Sequence, residues 1–327
     1  METPTSSRRL AWARRLGWRL GHLAMVLAGL SLAIFLMLEL LPGNLVDVLL
    51  GENARPEDIQ LLEAQLGLDK PLAERYLHWL GQAITGDLGR SPLSGEAVVD
   101  AIAHRLPVSL QLMVYAQLLG LLVAVPLGMI AGYREGSRLD RTLTGAAFGK
   151  LAEPHFVLGL LLILVFAIWL GWLPATGYVP WAEGGWNTIR SLTLPAVTLA
   201  LVEAPVYMRL LRSDIADTLR EPFIAVARAK GLPEWYVLLR HALRPSSFSL
   251  ITVMGINIGH LIGGAVIIET LFALPGVGRL LIEAITQRDY VMLQGVVLFI
   301  GVAFVFVNLL VDAAYAVLDP RVMRHGT

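Results

Sequence analysis

The chain has 327 residues, 56% of them hydrophobic and 16% charged, with 26 Lys and Arg balanced by 26 Asp and Glu and no cysteine. Soluble domains carry about 25% charged residues, so this composition points to an integral membrane protein. It excludes a disordered chain and a nucleic-acid binder held by net charge. The missing cysteines exclude disulfides, Fe–S clusters, Cys-based zinc sites and thiol nucleophiles.

The chain opens on a basic arm, residues 1–21, with Arg8, Arg9, Arg14, Arg15 and Arg19. An apolar run follows over 22–41. It is longer than the core of a signal peptide and ends in Leu41-Pro42-Gly43-Asn44 without a small-x-small cleavage site, so it is expected to be an uncleaved first span. A crossing takes about 20 apolar residues. Five further stretches meet that length, roughly Pro107–Ala131, Ala152–Trp172, Leu192–Leu211, Phe248–Phe272 and Leu293–Leu318. The expected fold class is therefore an all-α integral membrane protein with six transmembrane helices. The runs are continuous and lack the two-residue alternation of an outer-membrane barrel.

Residues 42–106 form a long segment between the first two spans. Pro56-Glu57-Asp58 opens one predicted helix to Leu66, and a second runs from Leu72 to Ile84. Residues 107–318 hold spans two to six, and 319–327 form a short tail. Six spans put both termini on one side. That side, with the loops 133–144 and 212–247 and with Lys150, carries 17 of the 26 Lys and Arg. The positive-inside rule therefore makes the termini cytoplasmic and the 42–106 segment periplasmic.

The cytoplasmic segment 212–247 carries Arg220, Arg228, Lys230, Arg240 and Arg244. Ala225–Lys230 favours helix, Gly231 breaks it and Pro233-Glu234 restarts it. Two short helices should meet at a glycine, either lying on anionic headgroups or docking a cytoplasmic partner. In the fifth span, Gly255, Gly259 and Gly263 recur every four residues and form a flat face for close helix packing.

Gly145–Leu151 superficially resembles a phosphate loop, but it is one residue short and Leu151 stands where Ser or Thr would hold magnesium. No His-Glu-x-x-His motif occurs. An intramembrane serine protease would have His260 as a candidate base, but no suitable Ser accompanies it. Ionisable groups at membrane depth are Glu153, Glu203, His260, Glu269 and Asp312. A charge at mid-membrane costs at least about 2.5–3.5 kcal/mol. Glu203 is the most central of them, facing either a water-filled path or, as a neutral carboxyl, the bundle interior. Glu153, Glu269 and Asp312 lie near span ends and read as interfacial.

The stretch Ala225-Val226-Ala227-Arg228-Ala229-Lys230-Gly231-Leu232, followed by Arg240-His241-Ala242-Leu243-Arg244, resembles the cytoplasmic Glu-Ala-Ala-x3-Gly loop of ABC importer permeases in the dipeptide/oligopeptide/nickel family. Gly231 falls on the loop's glycine and Ala227 on its second alanine; Ala225 replaces the glutamate. Further motifs run in order along nearly the whole chain. They are Gly67-Leu68-Asp69-Lys70-Pro71-Leu72, Gly86-Asp87-Leu88-Gly89 with Ser91, Arg105-Leu106-Pro107, Leu173-Pro174-Ala175-Thr176-Gly177, Glu269 with Pro275-Gly276-Val277-Gly278, Arg288-Asp289-Tyr290, and Asp319-Pro320-Arg321. Departures are Asn44-Leu45 for an Asp-Pro, Val291 for a Pro, and Glu153 and His155 around Pro154 where small residues are common.

The resemblance implies the type I permease fold and the first of two permease subunits, the kind with the long outer segment. It implies a second permease subunit, two ATPase subunits that carry the ATP and magnesium, an extracytoplasmic substrate-binding protein and a bilayer of the bacterial inner membrane. No cofactor, metal or nucleic acid is expected on this chain, nor any enzymatic activity. The coupling element would be Glu221, Ala227, Arg228, Ala229, Lys230, Gly231 and Leu232. Glu153, His155, Glu203, Asn257 and His260 are candidates for the translocation path. The implied cargo is peptide, with nickel or another metal chelate as the alternative. An ATP-independent secondary transporter would need internal repeats, which are not visible.

Overall fold

A computed structural model describes residues 21, 23–37, 39–40, 55, 57, 70–151 and 154–318, and the side chains among them except those at 150, 151, 260, 262–264 and 312–318. The described residues are helical throughout, apart from turns and one isolated antiparallel bridge between Arg90 and Ala97. They group into two compact units, Met1–His104 with Leu280–Val305, and Arg105–Arg279 with Phe306–Thr327.

The helices in order are α1 (Leu23–Met37), α2 (Leu72–Ile84), α3 (Val98–Tyr133), α4 (Arg138–Leu151), α5 (His155–Leu162), α6 (Gly185–Thr218), α7 (Pro222–Ala229), α8 (Glu234–Tyr236), α9 (Leu243–Leu271), α10 (Val277–Gln287) and α11 (Tyr290–Leu318). Wider π-helical turns continue α5 over Ile163–Trp169 and join α8 to α9 over Val237–Ala242. α3, α6 and the Tyr290–Val311 part of α11 are long and apolar enough to cross a membrane. α2 has the bounds expected from the sequence. Of the helix expected over Pro56–Leu66, only Glu57 is among the described residues.

Two expectations are corrected. The helix of the second span does not start at Pro107: α3 begins nine residues earlier, at Val98. Pro107 lacks an N–H, which forfeits one bond to the Ala103 carbonyl without ending the helix. The 133–144 segment is not simply a loop either, because only 134–137 separates α3 from α4. Ser137 Oγ accepts the Asp140 N–H at 3.1 Å while Asp140 Oδ2 accepts the Gly136 N–H at 2.9 Å. This is a reciprocal N-terminal cap written in Ser137-x-x-Asp140.

In the larger unit α6 is the hub. Buried residues make up 61% of its apolar window, against 39% for α3 and 17% for α11. Leu192, Leu194, Ala196 and Leu199 of α6 join Leu112, Met113 and Ala116 of α3 and Leu261, Ala265 and Ile268 of α9 in one core. A second core gathers Ala124, Met129, Tyr207, Met208, Leu211 and Ile215. On the other face of α3, Leu110, Val114, Leu118 and Leu122 recur every four residues and stay exposed, as lipid-facing side chains do.

Glycine sets the closeness of α3 and α6. A Cβ on Gly128 would lie 2.9 Å from the Met208 carbonyl oxygen, and one on Gly132 would lie 2.7 Å from that of Arg212. Apolar lipid gives helices no hydrophobic reason to associate, so close backbone approach is the main source of packing energy. On the predicted Gly255–Gly259–Gly263 face, a Cβ on Gly255 would clash with Val311, and Gly259 is buried. The surroundings of Gly263 lie outside the described residues.

In the smaller unit, the Gly86-Asp87-Leu88-Gly89 turn is bound to the start of α11. Asp87 Oδ1 accepts the Gly89 N–H at 2.9 Å. Asp289 caps α11 by accepting the Met292 N–H at 3.0 Å, and its other oxygen accepts the hydroxyl of Ser91. Two separated motifs thus form one clamp.

Candidate functional site

The coupling segment predicted from the sequence begins at the end of α6. After the turn Leu219–Glu221, Pro222 occupies the first position of α7, where its missing N–H costs nothing. At the far end, Gly231 has φ +75°. Its N–H donates to the Arg228 carbonyl at 2.9 Å, and the Leu232 N–H donates to the Ala227 carbonyl at 3.4 Å. This pair of bonds is a Schellman motif, and it requires a residue that adopts positive φ readily. Leu232 packs beside buried Ala227, together with Ile224 and Val237, in a small core under the elbow. The alanine and the glycine of the motif therefore have local physical reasons: a small buried contact and a left-handed cap.

Glu221, Ala229 and Lys230 are exposed. Arg228 is engaged within the chain: its Nε and an Nη reach the two Glu234 oxygens at 2.9 and 3.1 Å. The outward surface is less basic than the sequence implies. Phe223, Val226 and Trp235 are 47%, 54% and 65% exposed, and the Trp235 and Tyr236 rings meet edge to face at 5.8 Å.

The intramembrane candidates divide. Glu203 sits near the middle of α6 with 7% exposure. Its Oε2 lies 2.8 Å from the Tyr207 hydroxyl, which lies 2.9 Å from Gln117 Oε1 on α3. Asn257 on α9 is a further partner of the Tyr207 side chain. One hydroxyl has one proton to donate, yet it faces two acceptor oxygens. Either Glu203 holds a proton or Gln117 presents its NH2, whose nitrogen is otherwise buried without a partner. Glu203 and Asn257 are thus brought together, through Tyr207. His155 is an exposed residue at the start of α5. Glu153 lies outside the described residues, as does the side chain of His260 on α9. Gln117 and Tyr207 are not among the candidates read from the sequence. The signal was Glu203-x3-Tyr207, one helical turn apart and therefore on one face.

Glu269 is enclosed by the protein. It is 1% exposed, and its carboxylate accepts the Ser109 hydroxyl at 2.7 Å and the Arg279 N–H at 3.1 Å. Ser109 Oγ in turn accepts the Val277 N–H at 2.9 Å. Two side chains from α3 and α9 thereby cap the first turn of α10. A Cβ on Gly276 would clash with the Glu269 carboxylate, and one on Gly278 would fall 2.6 Å from Val266 Cα. This explains why Pro275-Gly276-Val277-Gly278 follows Glu269.

On the loop side of α6, Arg212 forms a two-pronged pair with Asp140, Nε to Oδ1 at 2.9 Å and an Nη to Oδ2 at 2.7 Å. That guanidinium, and then the Gly136 N–H, hold the buried Asp140 carboxyl at a pKa of about 2, well below the usual carboxylate range. Gly145–Leu151 lies within α4, a continuous helix rather than a phosphate loop. Among the described residues, no group of three or more His, Asp or Glu side chains is arranged to hold a metal ion.

The fold is an apolar helical bundle with a capped elbow after α6 and buried polar ties between helices. The chain belongs to the family of binding-protein-dependent transport system inner membrane components, whose model matches residues 124–324. The N-terminal model of the same transport systems matches residues 13–113. Among the relatives, a protein named as a peptide transport system permease in Brucella abortus (strain 2308) is 39% identical over 304 residues, covering 93% of this chain and 97% of its own. One named as a peptide ABC transporter permease in Sinorhizobium fredii is 36% identical over 304 residues, with 93% and 97% covered. The glutathione transport system permease protein of Escherichia coli O6:H1 is 36% identical over 292 residues, with 89% and 93% covered.

Proposed function

We propose that this chain is one permease subunit of an ATP-driven importer of short peptides. It forms half of a translocation path with a second permease subunit. Six spans put both termini in the cytoplasm and the 42–106 segment in the periplasm, facing a substrate-binding protein. Two separate ATPase subunits supply the nucleotide chemistry. The elbow Glu221–Leu232 is the element they push on, and nucleotide-driven closure moves the bundle between inward- and outward-open states.

The observation that carries this reading is the build of α7. It is a short helix fixed at both ends, by Pro222 and by the Gly231 Schellman turn, and seated on Ile224, Ala227 and Val237. It presents Phe223 and Val226 outward, with Trp235 beside it. A rigid apolar knob outside the bundle serves as a lever only if another protein grips it. Arg228, held by Glu234, shapes the knob; Lys230 remains for charge contacts with the partner. Peptide cargo is supported by the names of the relatives, one of which carries glutathione, itself a tripeptide.

The test is uptake of a radiolabelled tripeptide and, in parallel, of radioactive nickel, into proteoliposomes holding the whole transporter with ATP inside and loaded binding protein outside. Peptide uptake that needs ATP, and that falls in a Phe223→Ala/Trp235→Ala variant with loss of ATPase binding, supports the proposal. Uptake that survives both changes, or that needs no ATP, refutes it.

A further inference from the structure

The turn between α3 and α4 and the first turn of α4 each bear an acidic side chain, Glu135 and Asp140, and both reach α6 or its continuation into the elbow. Asp140 is held by Arg212 as described above. Glu135 reaches further along the chain: its Oε2 lies 2.6 Å from an Nη of Arg220, and its Oε1 lies 3.8 Å from Arg212. Arg220 is in the three-residue turn between α6 and α7, two positions before Pro222. Its other charged contact is Asp217, at 3.6 Å. Behind these pairs, Gly128 and Gly132 bring α3 against the backbone of α6. Thr218 Oγ1, at the end of α6, is 3.0 Å from Ser246 Oγ at the start of α9.

From this geometry we infer that Glu135 and Arg220 form a strap that makes the α3–α4 turn move with the coupling helix, and that Glu135, with Asp140 behind it, is a positioning residue for coupling. The inference rests on the permease reading given above. A helix such as α7 transmits a push only if the joint at its root does not bend. The joint here is Leu219-Arg220-Glu221, three residues outside regular helix. Its backbone is tied by the Leu219, Arg220 and Glu221 N–H groups to Ile215, Asp217 and Thr218 of α6. Those bonds fix the joint to α6 alone. The Glu135–Arg220 pair adds the second attachment, to α3 and α4, and Arg212–Asp140 keeps that turn from sliding along α6.

Exposed ion pairs add little to stability. The exposed Glu135–Arg220 pair is therefore suited to set a geometry without being needed for folding. This separates the strap from a structural role and makes it testable.

The experiment uses the complete transporter in proteoliposomes. Glu135→Arg, Arg220→Glu and the double exchange are compared for peptide taken up per ATP hydrolysed, with binding-protein-stimulated and basal ATPase rates measured alongside. Each single reversal should lower uptake per ATP by about threefold or more with assembly and basal ATPase unchanged. The double exchange restores opposite charges across the pair but sets like charges against Arg212 and Asp217, so it should recover part of the loss. Should a reversal prevent assembly, the neutral Glu135→Gln and Arg220→Gln variants carry the same comparison, because they remove the pair without adding repulsion. Single variants with unchanged uptake per ATP overturn the strap, as does a double exchange no better than its parents. A wild-type transporter without ATP-dependent uptake refutes the permease reading itself, a result distinct from either.

Discussion

The cap on α10 gives the sharpest test of the fold. Replacing Glu269 with Ala removes an acceptor that serves the Ser109 hydroxyl at 2.7 Å and the Arg279 N–H at 3.1 Å, with the Gly278 N–H also pointing at it. All three donors sit around a side chain that is 1% exposed, so water does not replace the lost bonds without opening the site. A buried donor left unmet costs about 1–3 kcal/mol, and a shortened side chain leaves a void as well. Because Ser109 can turn toward another acceptor, the total is taken as about 3–6 kcal/mol. Glu269→Gln keeps one acceptor oxygen and should cost about half as much. Gly276→Ala should resemble Glu269→Ala, since its Cβ would displace the carboxylate. The assay is the midpoint of heat-induced loss of the purified, folded protein in lipid nanodiscs, followed by tryptophan emission. A lowering of about 5 °C or more is expected for Glu269→Ala, with Glu269→Gln between it and wild type. A Glu269→Ala protein melting within a degree of wild type would refute the capping role.

Three further outcomes are expected. Gly231→Ala meets no steric obstacle, but its φ of +75° should cost about 1–2 kcal/mol and weaken ATPase binding in a pull-down, with the transmembrane bundle intact by circular dichroism. Asp140 has a folded pKa of about 2, below its ordinary value of 3.8. Its pairing with Arg212 therefore stabilises the protein above pH 4, and that stability is lost as pH falls from about 4 toward 2; Asp140→Asn should be less stable by about 1–2 kcal/mol at pH 7 and lose less over that interval, measured by denaturant midpoint against pH. Tyr207→Phe leaves Glu203 and Gln117 facing each other without the shared hydroxyl and should destabilise by about 1–3 kcal/mol, more than Glu203→Gln, which keeps its bond to Tyr207. Equal melting of these two variants would contradict that arrangement.

Much of the fold is legible in the sequence because lipid imposes a simple rule: backbone polar groups must be satisfied within the span, so spans are continuous apolar helices. The elbow is legible for a local reason as well. Pro222 and Gly231 act through their own φ preferences, and these need no tertiary context. Span ends are less legible, as α3 shows. Its first nine residues are amphipathic and continue through a proline, and their helical state is set by packing rather than by hydropathy. The α3–α6 contact was missed because Gly128 and Gly132 pair with backbone atoms eighty residues away, whereas Gly255, Gly259 and Gly263 advertise themselves by strict spacing. The partners of Glu269 are illegible for the opposite reason. A carboxylate near a span end suggests an interface, and only the fold brings the first turn of another helix over it.

The positions of these ties along α6 bear on how it can move. From Glu203 to Thr218 the helix is held by Tyr207–Gln117, by the Gly128 and Gly132 approaches, by Arg212–Asp140 and by Thr218–Ser246. In hydrocarbon such close approaches and buried hydrogen bonds are what resists separation of helices, so this half of α6 behaves as a strut joined to α3, α4 and the root of α7. Bending is cheapest where the helix already lacks bonds. Pro195 and Pro205 leave the carbonyls of Ser191 and Leu201 without their usual N–H partners. A displacement at the root of α7 would therefore be carried along this strut and taken up between Pro195 and Pro205, beside Glu203. This places the buried Glu203 carboxylate between the two prolines, where a bend of the helix would alter its surroundings most.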